Sequence, residues 1–111
     1  MKHNFHIRNI NDFATFHAME MIKECLDNND GRIPKNQKVE IEDEKIDSIP
    51  VDYIKDEIIE DRKAFNEKAK IAFKFKINYL IAEGFMYESD KDYIFYTDQQ
   101  LKEQLDIIAQ D

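Results

Sequence analysis

Two glycines and two prolines in 111 residues leave this chain few places to turn sharply. Both types are used far below their average frequency, and both punctuate or break regular structure. Long helices and few tight turns follow, so the predicted class is mainly α, an α+β fold with little strand. Apolar residues make up 42% of the chain and aromatics 12%. That is enough to close a core, which a disordered chain could not do. The length suits a single domain spanning 1–111.

The apolar spacing places the helices. From Phe13 to Leu26, residues Phe13, Ala14, His17, Ala18, Met21, Ile22 and Cys25 share one broad face at about 100° per residue. Asn11 and Asp12 suit its N-terminus, and Asn28-Asn29-Asp30-Gly31 suits its end. Ahead of it, Phe5, Ile7 and Ile10 read as an arm or short strand. Val39 and Ile41 alternate with Lys38, Glu40 and Glu42, which predicts one short strand. Ser48-Ile49-Pro50 reads as the start of a helix that Tyr53, Ile54 and Ile58 continue to residue 60. A longer helix over 62–83 carries Phe65, Ala69, Ala72, Phe73, Ile77 and Leu80 on its main face. Ile71, Phe75 and Tyr79 lie to one side, and so wide an apolar surface predicts packing on more than one side. Gly84 is its expected cap.

Beyond Gly84, two β-prone runs, Phe85–Glu88 and Tyr93–Tyr96, flank the turn-formers Ser89-Asp90-Lys91-Asp92 and predict a hairpin. Phe85, Tyr87, Tyr93 and Phe95 would share one face and Met86, Ile94 and Tyr96 the other. With both faces apolar, Met86, Ile94 and Tyr96 either lie under another element or form a protein interface. Thr97-Asp98-Gln99-Gln100 is a capping box, and Leu101, Leu105 and Ile108 form the stripe of a last helix.

The run Leu80-Ile81-Ala82-Glu83-Gly84-Phe85, the hairpin after it, Thr97 and the closing helix resemble the end of a winged helix-turn-helix domain. The resemblance implies a first helix at Phe13–Leu26, a second at Tyr53–Glu60, a recognition helix at 66–83 and a wing at 85–96. It also implies DNA binding, although folds do not fix functions. The sequence departs from the pattern in two places. There is no glycine-bearing turn between Glu60 and Phe65, and the 31–50 segment is longer and more acidic than a usual connection.

Charge is distributed unevenly around a net −8. Residues 40–61 hold ten acidic and two basic side chains; residues 62–78 hold six basic and one acidic. An acidic total repels nucleic acid and anionic membrane at long range, but a local patch can oppose it. Lys63, Lys70 and Lys74 fall within about 40° of one another on the helix and would make a phosphate-binding stripe. The plainer account is a solvated face, partly paired with the acids before it. The acidic block, with Glu42, Asp43, Glu44 and Asp47 at its densest, is crowded enough to imitate a nucleic-acid strand. Small acidic phage proteins that inhibit host nucleases, anti-restriction and anti-CRISPR inhibitors among them, are similar in size and charge. Heavy use of Lys, Asn, Ile, Asp and Glu also suits an AT-rich genome, as in many bacteriophages.

Catalytic chemistry finds little to build on. His3, His6 and His17 are the only histidines, and Ser48 and Ser89, the only serines, sit at expected caps or turns without a neighbouring His. Two scattered glycines cannot form a phosphate loop. An EF-hand register on Gly31 puts Leu26 and Gln37 where carboxylates are required, so no metal site is expected. Lone Cys25 on a helical face reads as core. No apolar run suits a signal peptide or a membrane span, and the cytoplasm is the expected compartment. The expectation is therefore a non-enzymatic module without cofactor. Its partner would be a protein, a nucleic-acid-binding enzyme or a second copy of the chain. The alternative is a winged-helix DNA-binding transcriptional regulator.

Overall fold

The computed structural model describes residues 6–83 and, beyond them, residues 93–95, 99 and 103. The fold is mainly helical. The elements delimited among the described residues are α1 (Ile10–Asn28), β1 (Arg32–Pro34), α2 (Asp43–Ile46), α3 (Asp52–Glu60), α4 (Arg62–Ala82) and β2 (Tyr93–Phe95).

Helix α1 starts two residues before the point that Asn11 suggests. Asn9 is the cap, its Oδ1 accepting from the Asp12 amide at 2.9 Å. Residues 6–9 form no strand; Ile7 and Ile10 pack against the core instead. The C-terminal end follows the expected turn. The Asn29 amide donates to the Cys25 carbonyl, and Asp30 and Gly31 take positive φ of 53° and 79°. Gly31 is buried there, and a β-carbon in the left-handed region carries a steric cost.

The chain leaves this turn as β1, which pairs antiparallel with β2 in the register Arg32↔Phe95, Ile33↔Ile94 and Pro34↔Tyr93. The Arg32 guanidinium stacks over the Tyr93 ring at 5.3 Å. The expected strand at Val39–Ile41 does not form. Its alternation is real, with Val39 and Ile41 buried and Lys38, Glu40 and Glu42 exposed. The Glu40 carbonyl is taken not by a neighbouring strand but by His17 Nε2 at 3.3 Å. Alternation here signals burial without pairing. Ser48 also departs from its expected role. Its hydroxyl donates back to the Lys45 carbonyl at 2.7 Å, and α3 begins after Val51.

One residue, Asp61, joins α3 to α4. It ends the first helix and caps the second, its carboxylate accepting from the Ala64 amide at 3.1 Å. The core lies between α1 and α4, closed by α3 and by the 33–49 segment. Phe65 is fully buried at its centre, with its ring centroid 5.8 Å from that of Phe13 and 5.7 Å from that of His17. Met19 and Leu26 join the expected α1 face, while Met21 lies only partly buried. Among the described residues no second packing surface covers Ile71, Phe75 and Tyr79; Ile71 and Phe75 are 68% and 69% exposed.

Gly84 and the run 85–92 lie outside the described residues, as does Tyr96, so the expected hairpin is described only through its second arm, β2. Gln99 and Glu103 are helical and share a 3.4 Å hydrogen bond at i, i+4 spacing; the rest of the expected last helix lies outside.

Candidate functional site

The acidic face is built by α2, its flanks and α3. Glu42 is the residue before α2, Asp43 and Glu44 form its first turn, and Asp47 follows its end; all four are exposed. A carboxylate at a helix N-terminus is electrostatically favoured, which accounts locally for Asp43 and Glu44. On α3, Asp52, Asp56 and Glu60 recur at four-residue spacing, about 6 Å apart along the axis. Their row lies away from Ile54 and Ile58, which anchor the helix in the core. All ten acids of 40–61 are exposed. Of these ten, only Asp43 is ion-paired with another described residue, Arg62, at 2.5 Å. Lys45, between Glu44 and Asp47 in sequence, turns instead to Glu24 of α1 at 3.6 Å. The basic helix thus neutralises one acid of the block, not the block.

The basic face is on α4. Lys63, Lys70 and Lys74 are all exposed, as their sequence spacing implies. The structure separates them by surroundings. Lys70 and Lys74 line one wall of a groove of about 710 Å³ whose other wall is residues 33–40, with Lys35 and Lys38; Lys63 is not part of it. Sequence reasoning did not bring Lys35 and Lys38 to this site. They lie more than thirty positions away, and only the packing of the 33–40 segment beside α4 joins them. Phe73 and Ile77 form part of the groove's apolar floor, and Glu40 and Glu67 are its acids. The side-chain oxygen of Asn66, also in its lining, is buried without a hydrogen-bond partner.

A second, shallower hollow of about 510 Å³ lies where α4 crosses α1. Ala14, Ala72, Ile71 and Phe75 line it, with Lys68 and Lys76 at its margin. Of the expected hairpin interface, Ile94 is in register with Ile33 in the β1–β2 pair, while Met86 and Tyr96 lie outside the described residues.

Two titratable groups are shifted by burial. His17 is pushed below its usual range by desolvation. The Glu40 carbonyl opposes that shift; Lys45 adds to it; Glu20 and Glu24 oppose it weakly. Burial pushes the Cys25 thiol up, and the charge of Glu24 adds to this. Cys25 is a buried free thiol and His17 a buried imidazole under the core, neither presented to a groove. Among the described residues no group of three or more His, Cys, Asp or Glu is placed to hold a metal ion, and no helix is long and apolar enough to cross a membrane. No protein-family model matches the chain, and no curated protein or solved structure shows significant similarity to it.

Proposed function

We propose that this chain is a non-enzymatic protein-binding module whose acidic face, from Glu40 to Asp61, docks on the basic surface of a nucleic-acid-handling enzyme. One observation carries the reading: ten acids in one stretch are exposed and only one is ion-paired with another described residue. Unpaired surface carboxylates contribute little to folding, yet they present a field that steers and orients a basic partner. Inhibition would follow by competition, with the carboxylates occupying positions that phosphates take in the enzyme's own substrate. A phage-encoded inhibitor of restriction or CRISPR nucleases is the class that such a surface suits, acting in the cytoplasm.

The test is affinity purification of the tagged chain from its host, with and without nuclease. A defined protein should be retained after nuclease treatment. Glu42, Asp43, Glu44 and Asp47 changed together to their amides should lose it. Retention of the same protein by the amide variant would overturn the reading.

A second reading, a winged-helix DNA-binding regulator, is favoured by the three exposed lysines of α4 and by the bounds of α1, α3 and α4. These helices overlap the three that the winged-helix resemblance assigns. Recovery of DNA in place of protein, lost when Lys63, Lys70 and Lys74 are changed to Glu, would establish it over the first.

A further inference from the structure

The groove between residues 33–40 and α4 borders the acidic face at Glu40 and has the opposite sign. Its lining holds four lysines against two glutamates, in a chain whose net charge is −8. Lys35 and Lys38 stand on one wall; Lys70 and Lys74, one helical turn apart, stand on the other. Lysines from two segments that meet only in the folded state border one groove.

The groove is more than a charged surface. Its floor includes Phe73 and Ile77, each 7% exposed, so an apolar or planar group can lie against it. The volume of about 710 Å³ falls in the range of small-molecule sites, roughly 300–1,000 Å³.

We infer that this groove binds a nucleotide, its phosphates held by Lys38, Lys70 and Lys74 and its base lying against the apolar part of the lining at Phe73 and Ile77. The anionic end suits the lysines and the planar end the apolar part of the lining. The nucleotide is either free or one unit of a single strand threading the open groove, since both carry the same chemistry.

The experiment uses the full chain at low ionic strength with two probes, ATP and a short fluorescent single-stranded oligonucleotide. Lys70→Gln and Lys74→Gln are exposed substitutions that preserve the helix, and Lys63→Gln removes the same charge from the same helix outside the groove. Each groove variant should weaken binding about tenfold, as loss of one hydrogen bond to a charged group does, while Lys63→Gln should leave it nearly unchanged. For the strand, each groove lysine lost should also flatten the log–log salt dependence by about one unit. Preference for ATP identifies a free nucleotide and preference for the oligonucleotide a strand. Absence of binding by either probe to the folded chain would overturn the inference, as would equal weakening by Lys63→Gln, which would mean bulk charge alone. The four-amide variant of the acidic block keeps the groove and loses four repelling charges, so it should bind both probes at least as tightly as the natural chain; failure here and failure of the acidic-face reading are therefore separable.

Discussion

His17 is a polar residue placed under the core, and its environment has a measurable consequence. The imidazole is 7% exposed, packs against Phe65 and, as a neutral ring, donates through Nε2 to the Glu40 carbonyl. Desolvation lowers its pKa, so below about pH 6.5 the unfolded chain binds the proton more tightly than the folded one. The contribution of a neutral His17 is complete above that pH and is lost as pH falls through it. Denaturant midpoints measured from pH 7.5 to 5 should therefore decline, and His17→Gln should flatten the decline. An equal slope in the variant would show that other groups govern it. Cys25 offers a parallel check. Its thiol is buried and biased toward the protonated, unreactive form. Alkylation should be slow in the native protein and fast in denaturant; rapid native labelling would mean that the end of α1 opens readily.

At the scale of elements, the joints matter more than the helices. Asp61 alone separates α3 from α4, and its carboxylate holds the Ala64 amide. Asp61→Ala should cost about 1 kcal/mol, the usual loss for a helix cap, and Asp61→Asn should recover most of it because the amide oxygen can still accept. A deficit shared equally by both variants would point to charge and not to the cap. Gly31 is the other joint. Gly31→Ala, at φ of 79° in a buried turn, should lose about 1–2 kcal/mol. Helix α1, strand β1 and the groove wall all depend on that turn. A thermal shift no larger than that of an exposed Ala substitution would show that the turn is relaxed. These joints were largely legible. Asn28-Asn29-Asp30-Gly31 marked its turn, and apolar spacing ended one helix at residue 60 and began the next at 62, although no turn residue marked the joint. The cap at Asn9 and the one-turn helix α2 were not. A cap depends on which of two nearby asparagines the folded chain can orient, and a single turn is too short to show a period.

For the molecule as a whole, the charge segregation has an energetic signature. Exposed like charges repel, so a compact acidic face tends to oppose folding, more so at low salt. Changing Glu42, Asp43, Glu44 and Asp47 to their amides should leave the melting temperature unchanged or raise it slightly. Only the Asp43–Arg62 pair is lost, and an exposed pair is worth about 0–1 kcal/mol. A large fall in stability would mean that the block is structural and would remove its claim to be a docking face. The aromatic side of α4 is a different case. A wide apolar helix surface suggested burial on several sides, but Ile71, Phe75 and Tyr79 remain exposed because the core closes on Phe65, Ala69, Phe73, Ile77 and Leu80.

Amino-acid order by itself determined the mainly helical class, the span of α3 and α4, the Asn-Asp-Gly turn and the separation of an acidic stretch from a basic helix. Each depends on neighbours within a few residues, where propensity, period and local charge act directly. Tertiary structure decided the rest. It gave the Glu40 carbonyl to His17 in place of a strand partner and paired β1 with a strand sixty residues away. It left nine of ten acids without an ion pair among the described residues, and it brought Lys35 and Lys38 to face Lys70 and Lys74. These outcomes depend on which surfaces the core leaves adjacent once α1 and α4 have packed, and a local pattern carries no record of that contact.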